Sequence, residues 1–104
     1  MDIKKLLGGR IQEIRKSKKI TQEFLAENIG IETVSMSNIE RGRYYPTVEN
    51  LSKIIDVLEV QPEELFKFKH LMPVEDLIKE MNTAMFKDEK LTRLMYKFYL
   101  SVKY

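Results

Sequence analysis

The sequence has no cysteine and only one histidine in 104 residues. Without cysteine there is no disulfide, zinc ribbon or thiol nucleophile, and the composition fits a reducing compartment. His70, the lone histidine, stands in a connector with no second ligand beside it, so neither a metal nor a cofactor is expected. No window of about 18 residues escapes charge, which argues against a membrane-spanning helix. The apolar set Ile3, Leu6 and Leu7 is too short for a signal-peptide core. Gly8–Gly9 lacks the Lys-Ser/Thr that follows a phosphate-cradling loop. The acid pairs Glu63–Glu64 and Glu75–Asp76 fall in predicted first helical turns, where the dipole explains them better than catalysis. An enzyme is not expected; a cytoplasmic binding protein is.

A surplus of positive charge is also missing, since 18 basic residues face 16 acidic ones for a net +2. That balance conceals a gradient. From Arg10 to Lys19, five basic residues (Arg10, Arg15, Lys16, Lys18, Lys19) oppose Glu13. From Glu49 to Glu64, five acids (Glu49, Asp56, Glu59, Glu63, Glu64) oppose Lys53. A domain basic at one end and acidic at the other can orient toward phosphates without a high overall charge.

No run of residues alternates convincingly between apolar and polar, and no Asn-Gly or Asp-Gly hairpin signal occurs. The spacing is helical instead. Leu7, Ile11 and Ile14 repeat at helical intervals, as do Val48, Leu51, Ile55 and Leu58, with Ile54 widening the second stripe. Thr21 and Thr47 are N-cap residues, Gly30 and Gly42 are helix stops, and Pro62 suits a first helical position. The expected helices are roughly 3–18, 22–29, 33–41, 48–59 and 62–68. The fold class is all-α: a five-helix domain over residues 1–68, then a helical segment over 69–104. Pro73 opens the segment, and Val74, Leu77, Ile78, Met81 and Met85 form one stripe. Leu91, Leu94, Met95, Phe98 and Val102 form another. The heptad phase slips at Asp88, favouring two helices with Asp88 as a cap over one long bent helix.

Residues 21–42 place two short helices across Gly30, with small Ala26 allowing close crossing; this is a helix-turn-helix arrangement. On the second helix, Thr33, Val34, Ser37 and Asn38 share an arc of about 140°, with Met36 and Ile39 opposite. Short polar side chains and one valine suit base edges: Asn can bond adenine, Ser and Thr bond either way, and Val meets a thymine methyl.

Residues from about Gly8 to Phe66 resemble the lambda-repressor-like, Xre-family helix-turn-helix domain. The matching positions are Gly8, Arg10, Ile11, Arg15, Gln22, Leu25, Ala26, Gly30, Ile31, Ser37, Ile39, Glu40, Gly42, Pro46, Leu51, Leu58 and Leu65. The resemblance implies that Thr33, Val34, Ser37 and Asn38 read bases. It implies that Gln22, Arg41, Arg43 and Tyr44, with Arg10 from the basic first helix, approach the DNA backbone. Arg15 and Glu40 match a structural ion pair. Glu32 departs from the family, which often has Ser, Thr or Asp at that cap. Glu caps poorly and, near a groove, would repel phosphate or accept from a cytosine amino group.

The implied function is sequence-specific double-stranded DNA binding by a homodimeric transcriptional regulator, with repression at a palindromic operator the expected mode. The apolar tail is the expected means of pairing. A segment of about 35 residues cannot bury such surface by itself, so Leu91, Leu94, Met95, Phe98, Tyr99 and Val102 are the expected dimer interface. The alternative is an antitoxin-type module whose residues 73–104 bind a partner protein. No membrane partner is expected.

Overall fold

Local capping chemistry divides the chain into six α-helices and two 3₁₀ turns, with no strand among residues 1–103, the residues described by the computed structural model. Helix α1 (Ile3–Ser17) starts where the Asp2 carboxylate accepts the Lys5 N–H. Helix α2 (Gln22–Ile29) starts where the Thr21 hydroxyl accepts the Phe24 N–H, and it stops at Gly30, whose φ of 79° is left-handed. Helix α3 (Thr33–Glu40) follows after two further residues; Glu32 at its N-cap makes no side-chain capping bond. Helix α4 (Val48–Leu58) is capped by Thr47 on the Asn50 N–H and closes with Glu59 in the left-handed region.

The expected fifth helix over 62–68 is a 3₁₀ turn, Pro62–Phe66, followed by a second at Lys69–Leu71. Pro62 and the two acids make a good first turn. Leu65 and Phe68 are both buried three positions apart, but Lys67, at φ −87° and ψ 74°, leaves helical geometry between them and ends the turn. The expected stripe on α4 is also rotated. Ile54 and Leu58 are fully buried, Leu51 and Ile55 flank them, and Val48 is exposed.

The chain forms two compact units, Met1–Leu71 and the residues from Met72 onward. The first is built around Leu7, Ile11, Ile14, Leu25, Ala26, Ile29, Met36, Ile39, Ile54, Leu58 and Leu65. Each larger member removed from water contributes about 1.5–3 kcal/mol. Ala26 is buried in this core, and α2 packs on α3.

The second unit is a pair of helices packed on each other, α5 (Val74–Lys87) and α6 (Glu89–Lys103). Asp88 separates them: its carboxylate accepts the Leu91 N–H at 3.0 Å, as an N-cap does. Thr92 adds a brace, its hydroxyl donating to the carbonyls of Met85 and Asp88. The segment is therefore two helices. Neither contains a buried residue. Leu91 and Met95 are half-buried, whereas Leu94, Phe98, Tyr99 and Val102 are exposed. Tyr104, part of the aromatic tail, lies outside the described residues.

Candidate nucleic-acid interface

Helix α3 is held from beneath by both apolar and charged side chains. Met36 and Ile39 are buried in the core, fixing the helix's rotation about its axis. That rotation turns Val34 outward, 62% exposed, with Thr33, Ser37 and Asn38 half-buried around it. The four expected base-reading residues thus lie on the side away from the core. Asn38 is loosely tethered, its amide lying 3.5 Å from the Tyr44 hydroxyl.

The C-terminal end of α3 is clamped to α1. Arg15 and Glu40 are both buried and form a two-point pair, Nε to Oε2 at 2.7 Å and Nη2 to Oε1 at 3.0 Å. The remaining donor Nη1 gives a hydrogen bond to the Ile20 carbonyl at 2.9 Å. Hydrogen bonding to Glu40 raises the Arg15 pKa above its ordinary value, against the opposing effect of burial. A buried pair with every partner present is tolerated; removing one member strands a charge at a cost of about 3–5 kcal/mol. Gly8 and Gly42 complete the clamp. The backbone of α1 at Gly8 lies against the carbonyls of Ile39 and Glu40, while Gly42, at φ +75°, lies against Lys5.

Around this helix the expected backbone-binding residues divide. Arg41 and Arg43, just past α3, are not buried, and no described residue pairs with either. Tyr44 and Tyr45 are exposed beside them. Gln22 instead lies against the clamp, its amide donating to Glu40 Oε1 at 3.0 Å. Its place at the first turn of α2 is as expected, but one of its amide donors is already used.

Arg10 is drawn elsewhere. Its Nε donates to the Glu64 carbonyl at 2.9 Å, Nη1 meets Glu13 at 2.6 Å, and Nη2 lies 3.5 Å from the Glu64 carboxylate. The basic helix docks its second turn on the acidic 3₁₀ turn, so this charge is neutralised within the fold. His70 joins the group, its Nε2 within 2.8 and 3.0 Å of the two Glu13 oxygens. Hydrogen bonds from His70 first, and from Arg10 second, lower the Glu13 pKa. Sequence spacing alone offers the Arg10–Glu13 pair, three positions apart on α1; Glu64 and His70, more than fifty positions away, join it only through folding.

A short polar outward face with unpaired arginines after it, on a helix locked by a buried ion pair, has the arrangement of a helix-turn-helix. The helix-turn-helix family model matches residues 11–65. The chain belongs to that family, in its lambda-repressor-like, Xre-type branch, whose members are DNA-binding transcriptional regulators.

Control protein C.BamHI of Bacillus amyloliquefaciens is 37% identical over 68 residues, 64% of this chain and 84% of that protein. The crystal structure of the P22 c2 repressor with a synthetic operator matches with a TM-score of 0.55 and 35% identity, covering 61% of this chain and 96% of that one. The SinR/SinI complex matches 93% of this chain and 97% of that one, with a TM-score of 0.57 and 29% identity. No described helix is long and apolar enough to cross a membrane.

Proposed function

We propose that the protein is a cytoplasmic, sequence-specific repressor that binds a palindromic operator as a homodimer. The observation that carries this reading is the outward face of α3, where Val34 stands exposed among Thr33, Ser37 and Asn38 on a helix fixed by the buried Arg15–Glu40 pair. Helix α3 enters the major groove. Asn38 and the two hydroxyls bond base edges, and Val34 packs on a thymine methyl. Arg41 and Arg43, with Tyr44, hold the phosphates that set register. Gln22 approaches phosphate with its remaining amide donor, and the N–H groups at the start of α2 lie beside it. Arg10, spent on Glu13 and Glu64, supports the fold. The P22 c2 repressor's likeness, seen on a synthetic operator, supports the same reading.

Homodimerisation through Leu91, Leu94, Met95, Phe98, Tyr99 and Val102 would set two α3 helices about 34 Å apart, one turn of the duplex. The lack of any buried residue in α5 and α6 supports an association role. The same observation favours a second reading, in which residues 73–104 bind a partner protein. Similarity to the SinR/SinI complex across 93% of the chain supports that use.

Selecting bound duplexes from a random pool tests the first reading. A defined site should emerge, and Asn38→Ala should weaken binding to it by about 1–3 kcal/mol while relaxing one base position. An equal loss on all duplexes would refute base reading by α3.

A further inference from the structure

We infer that Lys4 and Lys5, in the first turn of α1, bind the DNA backbone beside the loop that follows α3. The inference rests on the reading of this domain as an operator binder and extends its phosphate-binding surface to a second element. The loop is pressed onto this turn: a Cβ on Gly42 would stand 2.5 Å from Lys5 Cα and 2.7 Å from its Cγ. One residue earlier, the Lys4 ammonium lies 6.0 Å from the centroid of the Tyr45 ring. Lys4 and Lys5 are thereby brought alongside Arg41, Arg43 and Tyr44, although more than thirty residues separate them in the chain.

The charge placement is unusual on internal grounds. Cations at a helix N-terminus oppose the helix dipole, and the first turn of α1 contains no acid to offset them. Asp2 is the neighbouring carboxylate, and it is engaged in capping through the Lys5 N–H. Glu40, the other acid at this end, is neutralised by Arg15 in the interior. Lys5 is exposed, and no described residue pairs with its ammonium. Duplex phosphate held by Arg41 and Arg43 brings neighbouring phosphates within reach of two long, flexible cations. The Tyr45 ring pre-orders one of them by cation–π attraction.

The test measures affinity for a duplex selected from a random pool, across a salt series, for the full chain and for Lys4→Gln/Lys5→Gln. Each phosphate that the variant no longer neutralises should reduce the slope of log affinity against log salt by about 0.9, so the double variant should be shallower by up to about 1.8. The weakening should be equal on matched and mismatched sites, and Lys4→Arg/Lys5→Arg should restore the slope. Steep binding by the natural chain with an unchanged slope in the double glutamine variant would overturn the inference and leave the operator reading standing. Failure of the natural chain to bind any duplex would overturn both.

Discussion

Gly8 and Gly9 are adjacent in α1, and replacing each with alanine should move stability in opposite directions. Both lie inside a helix, where alanine gains about 1 kcal/mol over glycine. At Gly9 that gain stands almost alone, since an added Cβ meets only the Leu71 Cδ1 at 3.4 Å, an ordinary approach to a movable methyl. At Gly8 the Cβ would lie 2.2 Å from the Ile39 carbonyl oxygen and 2.7 Å from that of Glu40. An unstrained carbon–oxygen approach is about 3.3 Å, so α1 and α3 must separate by roughly an ångström. The opposing atoms are backbone, so no rotamer change relieves them. Overpacking of this kind costs about 1–3 kcal/mol, and the rigid partner places it at the upper end. The net expectation is a loss of about 2 kcal/mol for Gly8→Ala and a gain of about 0.5–1 for Gly9→Ala. Thermal melts followed by circular dichroism resolve this, since 1 kcal/mol shifts Tm by about 4–8 °C in a domain of this size. Gly8→Ala should also weaken DNA binding under the proposed reading, because the strain falls on the C-terminal end of α3. A Gly8→Ala protein melting with or above the natural chain would refute the close approach of α1 to α3.

Glu13 should contribute to the acid limb of stability. Its pKa is lowered in the folded state by His70 and then Arg10. The stabilisation is therefore complete above the ordinary carboxylate pKa of about 4 and disappears as pH falls through the folded value. The group is well exposed, so the effect stays below about 1 kcal/mol. Urea titrations at several pH values should find Glu13→Gln less stable than the natural chain near neutrality and converging with it in acid; parallel curves would exclude the network. If the proposed homodimer forms through α6, deleting residues 88–104 should shift the mass toward the monomer by light scattering, and an unchanged mass would place the interface elsewhere.

The features legible in the sequence are those that local chemistry decides. Thr21, Thr47 and Asp88 cap helices because a side-chain oxygen three residues before an orphan N–H needs no tertiary information. Gly30 and Gly42 stop helices because they reach positive φ cheaply. The outward set on α3 follows from angle alone once Met36 and Ile39 are assigned inward. The turn at Pro62–Phe66 reads as a helix because its opening residues are good helix starters and Leu65 and Phe68 keep helical spacing; the break at Lys67 is not encoded in either feature. Arg10 looks available to phosphate because its acid neighbours in sequence are few. Glu13, three positions on, is one partner, but the second, Glu64, lies 54 positions away and arrives only through folding. The Arg15–Glu40 pair is legible only through family resemblance, since nothing in a 25-residue separation identifies two charges as partners.

The same distinction explains how a chain of net charge +2 can work on a polyanion. Folding neutralises charges selectively. Arg10 is spent on Glu13 and Glu64, and Arg15 on Glu40, so these count neither for nor against phosphate. Arg41, Arg43 and Lys5 remain unpaired near the end of α3, while the acids of α4 are carried on another element. A domain with this arrangement should bind DNA more steeply with salt than its total charge suggests, because the slope counts phosphates neutralised rather than net charge. In the natural chain, Arg10→Gln should therefore lower Tm yet leave the salt slope where it was, whereas removing an unpaired cation beside α3 should reduce the slope and leave Tm nearly unchanged.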